Sequence, residues 1–127
     1  MRALSVRQPW AWAIFYAGKD IENRSYKHKN CPETIAIHVA TRSDSVDNLP
    51  TEVRRPRPED LQTGVIIGVV DVVEVVNQHE SKWFSGPLGW VLRNSRVLIE
   101  PIKYTGARRL WKVKPEVVRT IKRQLSM

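Results

Sequence analysis

The densest run of chemistry-bearing side chains is Gly18-Lys19-Asp20-Ile21-Glu22-Asn23-Arg24-Ser25. Glu22 and Arg24 are two residues apart, so in an extended segment they share a face. A carboxylate and a guanidinium placed this way can pair and hold each other in fixed rotamers. Lys19 follows a helix end expected at Gly18. A lysine that is desolvated or held near other cations can lose its proton and act as nucleophile or base. Glu22 can pair with Arg24 or with Lys19, and that choice separates a structural ion pair from a poised lysine. The competing reading of the whole run is a solvated edge strand with an ordinary ion pair.

His38 is the second candidate. It could act as a general base, or hydrogen-bond a phosphate or a nucleobase. A lone histidine on a strand is more often a satisfied structural residue. His28 and His79 fall in expected loops, and three histidines without regular spacing give no metal-site pattern. The segment from Trp83 to Trp90 sets two Trp and Phe84 among Gly86, Pro87 and Gly89. Aromatics on a rigid loop suit stacking on a base, with core filling the competing use for at least one Trp. Trp10 and Trp12 read as core or cavity wall. No P-loop, GxSxG, HExxH or CxxC pattern is present, so no cofactor and no metal are expected.

Charge points to an anionic partner. The chain has 21 Lys+Arg against 13 Asp+Glu, a formal net charge of +8. Residues 101–127 carry most of it, as Lys103, Arg108, Arg109, Lys112, Lys114, Arg119, Lys122 and Arg123 against Glu116 alone. Cations at this density can contact phosphates without reading sequence, and they also serve simple solubility. A length of 127 residues suits one domain with its own core. The single Cys31 cannot form an internal disulfide. No signal peptide is visible, and the apolar run Val65 to Val76 is too short to span a bilayer. These features read as a cytoplasmic protein with no membrane partner.

The elements that must position these residues follow from periodicity. Ala3 to Arg7 alternates as a strand. Pro9 opens a buried helix that Gly18 closes. Asp20 to Tyr26 is extended in character. Glu33 to Ala40 is a strand with Ile35, Ile37 and Val39 on one face and Thr34, Ala36, His38 and Ala40 on the other. Residues 41–60 are polar and Pro-punctuated, an excursion with room for one helical turn. Gly64 to Val76 is a strand, with Gly68 a bulge or bend. Trp90 to Leu92 and Val97 to Ile99 read as strands around a turn at Asn94-Ser95. Lys103 to Gly106 and Leu110 to Val113 are further strands. Pro115 opens a last helix with Val117, Val118, Ile121 and Leu125 on one face. Many short strands and few helices predict an α+β fold built on a closed or nearly closed mixed β-barrel.

Three stretches carry a resemblance: Ser5-Val6-Arg7-Gln8-Pro9-Trp10-Ala11, then Gly18-Lys19-Asp20-Ile21-Glu22-Asn23-Arg24, then Ile37-His38-Val39-Ala40. Together they resemble the ASCH domain family, named for homology to the activating signal cointegrator. Gly64 to Val72, Gly89-Trp90-Val91-Leu92 and Leu110-Trp111-Lys112-Val113 extend the likeness over nearly the whole chain. The resemblance implies one ASCH-like domain over residues 1–127, with a PUA-like β-barrel and a polar cleft beside it. That cleft is lined by a Gly-x-Lys-x-x-Glu-x-Arg type segment, here one residue shorter between Gly and Lys than in some members. The family is generally taken to bind RNA or nucleotides. Some members look like amidohydrolases of N4-acylated cytidine that use a Lys, a Thr and a Glu, and another branch looks like ribonucleases. Lys19 matches that Lys, and Glu22 stands where those enzymes have Thr.

Three functions follow as expectations. The first is binding of RNA, single-stranded nucleic acid or a modified nucleoside. Gln8, Trp10, Lys19, Arg24 and His38 would line the ligand site, Trp83 or Trp90 would stack, and the cations from Arg108 to Arg123 would meet phosphates. The second is a hydrolase using Lys19, Glu22 and Arg24. The third is a protein-interaction module in a larger assembly.

Overall fold

A computed structural model describes all 127 residues, with six strands in one sheet, curled into a half-barrel, and two helices. In chain order the elements are β1 (Arg2–Val6), α1 (Trp10–Tyr16), β2 (Ile21–Arg24), β3 (Glu33–Val39), β4 (Val65–Val76), β5 (Leu88–Lys103), β6 (Leu110–Lys112) and α2 (Pro115–Leu125). Across the sheet the order is β2-β5-β4-β3-β1-β6. β1 and β3 run parallel, and the other pairs are antiparallel. The parallel pair needs a long connection between its strands, which α1 and β2 supply. The α+β class and the barrel-like sheet agree with the sequence reading.

Alternation along β1 and β3 divides the core. Leu4, Val6, Ile35, Ile37 and Val39 enter one cluster with Ala11 and Ile14 of α1. Ala3 and Ala36 turn to the opposite face, where Ile66, Val69, Leu98 and Ile121 of α2 close over them. Val117, Val118 and Leu125 pack on that same cluster, so α2 presents the stripe its periodicity predicts. α1 is buried on nearly all sides through Ala11, Trp12, Ala13 and Ile14.

Residues 41–60 form two 3₁₀ turns, Val46–Asn48 and Pro58–Asp60. Leu49 and Val53 from this excursion are buried against Trp12, Ile21, Trp83 and Val91. The Arg54 guanidinium lies 5.1 Å from the Trp12 ring centroid. The excursion therefore forms one wall of the region around Lys19, which its polar composition did not announce.

Two strand boundaries differ from expectation. Trp90–Leu92 and Val97–Ile99 belong to one continuous strand, β5. Pairing with β4 jumps from Asp71↔Arg93 to Val69↔Arg96, so Asn94-Ser95 is a bulge and not a turn. Asn94 takes φ +55°, a left-handed conformation that asparagine tolerates. Lys103 ends β5, and residues 104–106 are loop instead of strand. Gly106 sits so close to the His38 ring that a Cβ there would lie 2.4 Å from Cε1. No helix is long and apolar enough to cross a membrane.

Gly68 has the closest neighbours of the two glycines in the strands. The register shifts between Ile66 and Gly68, and a Cβ at Gly68 would lie 2.5 Å from both the Arg96 carbonyl oxygen and Phe15 Cε1. Backbone and ring cannot both retreat. Gly68→Ala is expected to lower unfolding free energy by about 1–3 kcal/mol, measured by urea denaturation. An unchanged midpoint would refute the close approach.

Candidate functional site

α1 ends with Gly18 at φ +71°, a conformation glycine adopts without strain. The Lys19 amide then returns to the Ala13 carbonyl at 3.0 Å, which draws Lys19 back beneath the helix. The Lys19 side chain is buried. Its Nζ donates to the Ile21 carbonyl and lies 3.2 Å from Glu22 Oε1. The other carboxylate oxygen, Oε2, lies 3.0 Å from Arg24 Nη2. Glu22 therefore pairs with both cations at once. Arg24 Nη2 also donates to the Ser5 carbonyl at 3.0 Å.

This charged row borders a cavity of about 400 Å³ lined by Trp10, Lys19, Glu22, Asn23, Lys82 and Trp83, among others. Asn23 fixes one wall. Its Nδ2 donates to the Trp83 carbonyl at 2.9 Å, and its Oδ1 accepts from Ser85 N and Gly86 N. Trp83 N donates to Ser81 Oγ, which itself donates to Asp20 Oδ1. Trp10, also on the lining, is held from outside it: its Nε1 donates to Asp44 Oδ2 at 2.9 Å, and Arg7 pairs with the other Asp44 oxygen at 3.2 Å. Lys82 stands at the mouth with Nζ 5.6 Å from the Trp83 ring centroid, and it also pairs with Glu52 at 3.5 Å. Two indoles, Trp10 half-buried and Trp83 buried, thus share the lining with paired charges, a combination that can meet a flat polar ring with hydrogen-bonding edges. Asn23, Asp44 and Lys82 were not among the expected site residues. The place of Asn23 inside the polar run from Gly18 to Ser25 was the signal that could have drawn attention to it, against an alternation that turns it away from Glu22.

The other expected site residues lie elsewhere. Trp90 is fully buried, its Nε1 donating to the Tyr26 carbonyl at 3.0 Å, so it has no face open for stacking. Its large apolar ring is core, and Trp83 alone of the pair reaches a cavity. Gln8 is also buried, and both ends of its amide are engaged. Oε1 accepts from Trp12 N at the start of α1, and Nε2 donates to the Gln62 carbonyl. Arg24 supports the cavity wall from behind without lining it.

His38 lines a second and larger cavity of about 960 Å³. Ser5 and His38 are paired partners on β1 and β3, on the face of Ala3 and Ala36 that α2 covers. His38 Nδ1 lies 2.9 Å from Ser5 Oγ, and Nε2 lies 2.7 Å from the Tyr104 carbonyl. The carbonyl can only accept, so Nε2 donates and, in the neutral ring, Nδ1 accepts from the serine hydroxyl. Lys103, Arg108 and Lys114 line this same cavity. Arg109 instead lies over the Tyr26 ring at 4.4 Å. Lys112 sits on β6, and Arg119, Lys122 and Arg123 are exposed on α2. The basic C-terminal residues are therefore spread over four places: the cavity lining, the Tyr26 ring, β6 and α2.

A third polar chain joins Cys31, His28, Glu33 and Arg2. His28 Nδ1 lies 3.2 Å from Cys31 Sγ, its Nε2 lies 3.0 Å from Glu33 Oε1, and Arg2 donates to Glu33 from Nε at 2.9 Å. Hydrogen bonding to Arg2 holds the Glu33 carboxyl below the usual range. Burial pushes the Cys31 thiol up, which suits an inert thiol better than a nucleophile.

The ASCH domain family model matches residues 4–121. The crystal structure of ASCH from Zymomonas mobilis superposes with a TM-score of 0.58 at 15% identity, covering 93% of this chain and 90% of that one. At that identity the likeness is one of fold. No curated protein matches the chain significantly.

Burial lowers the His38 pKa from its ordinary value, and the hydrogen bond to the Tyr104 carbonyl offsets this only in part. The unfolded ring, with a pKa of about 6.5, then takes up a proton before the native one does. Stability attributable to His38 is present above pH 6.5 or so and falls as pH drops through that value, by at most about 1.4 kcal/mol per pH unit. Urea unfolding of the intact protein between about pH 7.5 and 5.5 should show this loss, with a flatter slope in His38→Gln. Equal slopes would contradict a buried neutral imidazole.

Proposed function

The chain belongs to the ASCH domain family, and from that membership we propose that it binds single-stranded RNA or a modified nucleoside, with one base held between Trp10 and Trp83. The observation that carries this reading is the Glu22 carboxylate fixed between Lys19 and Arg24 at the wall of the aromatic-flanked cavity. The pairing holds Glu22 in one rotamer, and a base edge would meet an acceptor and a donor already oriented. Arg119, Lys122, Arg123 and Lys112 would add contacts to phosphates that do not depend on sequence. The reading treats residues 1–127 as one ASCH-like domain. The free thiol of Cys31 fits a reducing compartment, and the cytoplasm is the location proposed.

A second reading is hydrolysis of an N4-acylated cytidine or of RNA, favoured by the placement of Lys19 and Glu22 on a concave site. Against it, Lys19 Nζ is buried and already engaged by the Ile21 carbonyl and by Glu22, which ties it to the protein. Glu22 in place of threonine also leaves no hydroxyl beside Lys19.

Calorimetric titration with a short single-stranded RNA and with a panel of modified nucleosides separates the readings. Binding is expected without product. RNA affinity should fall steeply with salt, by about tenfold or more between 50 and 200 mM. Lys82→Ala, at an exposed position, should weaken binding several-fold without unfolding the chain, and Lys19→Ala should weaken it further. Turnover that disappears in Lys19→Ala would replace the binding reading with the hydrolase.

A further inference from the structure

We infer that the cavity on the α2 face is a second ligand site, separate from the Lys19 cavity, and that it takes a phosphomonoester of nucleotide size. The charge lining it is lopsided. Lys103, Arg108 and Lys114 converge on one concavity from three elements: the end of β5, the loop after it, and the residue that caps α2. Glu116 is the one carboxylate on the lining, which leaves a formal excess of two positive charges. None of the three cations forms an ion pair within the protein. Like charges gathered in a concave site raise the local potential and favour an anion.

The excess of two matches a phosphomonoester, which carries about −1.5 to −2 at pH 7, better than the single charge of a backbone diester. The volume of about 960 Å³ lies at the upper end of the range for small-molecule sites and leaves room for more than a bare phosphate. Hydroxyls from Ser5, Thr41, Thr63 and Thr105 line the remaining wall and can meet sugar or phosphate oxygens. The positive end of α2, an eleven-residue helix, faces the same space through Lys114, Glu116 and Val117.

The site is also held in shape before any ligand arrives. His38 donates from Nε2 to the Tyr104 carbonyl, and Gly106 packs directly on the His38 ring. The Tyr104 hydroxyl accepts from Lys114 N at 2.8 Å, and its ring stacks on Trp111 with centroids 5.1 Å apart. Tyr104, at the start of the loop bearing Arg108, is thus pinned to His38 of β3 through its carbonyl and to the start of α2 through its hydroxyl. His38 is a positioning residue here, since both of its ring nitrogens are engaged by protein.

Calorimetry on the intact chain with inorganic phosphate, adenosine 5′-monophosphate and adenosine tests the inference. Both phosphates should bind and adenosine should bind at least about tenfold more weakly than its monophosphate. Lys103→Ala combined with Arg108→Ala should weaken monophosphate binding about tenfold or more, and Glu116→Gln should strengthen it. The triple variant Arg119→Ala, Lys122→Ala, Arg123→Ala removes more charge from the open side of α2 and should change affinity less than about twofold. Inorganic phosphate carries no base for the Lys19 cavity, so its binding reads the cavity on the α2 face alone, and the two cavities fail or succeed separately. The inference is overturned if neither phosphate binds, if adenosine binds as well as its monophosphate, or if the triple variant loses as much affinity as the cavity pair.

Discussion

The Glu22 carboxylate, held between Lys19 and Arg24, is the interaction on which the rest of this structure turns. Strand order places β2 at one edge of the sheet with three strands between it and β1, so hydrogen bonding between strands does not join them. Arg24 does, through its bond to the Ser5 carbonyl on β1, while its other partner is Glu22 on β2. A side-chain bridge thus spans the open side of a half-barrel that the backbone leaves unclosed. Buried charge is costly to desolvate, and this row offsets that cost only because each member has a partner. Losing Glu22 would leave two cations facing each other, so its role in shape cannot be separated from its role at the cavity wall.

Ser5 has a bond toward each of the two cavities. Its carbonyl receives Arg24, which supports the Lys19 cavity. Its hydroxyl meets His38, which frames the cavity on the α2 face. A strand sends successive side chains to opposite faces, so one short element serves both sites. The aromatic-flanked cavity is nearly balanced in charge along Lys19, Glu22 and Arg24, and is suited to a base. The other has an excess of positive charge and is suited to phosphate. Net charge alone does not distinguish them, because most of the +8 lies in residues that line only the second site or neither.

Much of this was legible in the sequence because it depends on local rules. Alternation in Glu33 to Ala40 and the apolar stripe of α2 fixed which faces pack, and both are observed. The spacing of Glu22 and Arg24 allowed them to pair on a strand, with Lys19 the alternative partner, and Glu22 pairs with both. What was not legible depends on long-range placement. Asn94-Ser95 reads as a turn locally, yet pairing with β4 on both sides makes it a bulge. Residues 41–60 look like solvated loop, and only the indole of Trp12 and the edge of β2 show where Leu49 and Val53 belong. His38 could not be assigned to a cavity without knowing where the chain returns after β5. Trp83 and Trp90 have equal claims in the sequence and both are buried, and only the position of Trp83 on a cavity lining separates the two.

The central claim is that a base sits between Trp10 and Trp83. The chain has five tryptophans, each with an indole N–H that gives its own resonance. Titrating the isotope-labelled protein with a short single-stranded RNA reads all five at once. The account predicts that the Trp10 and Trp83 indole signals move together along one binding curve while Trp12 and Trp90 stay still. Shifts at other indoles with Trp10 and Trp83 unmoved would contradict it.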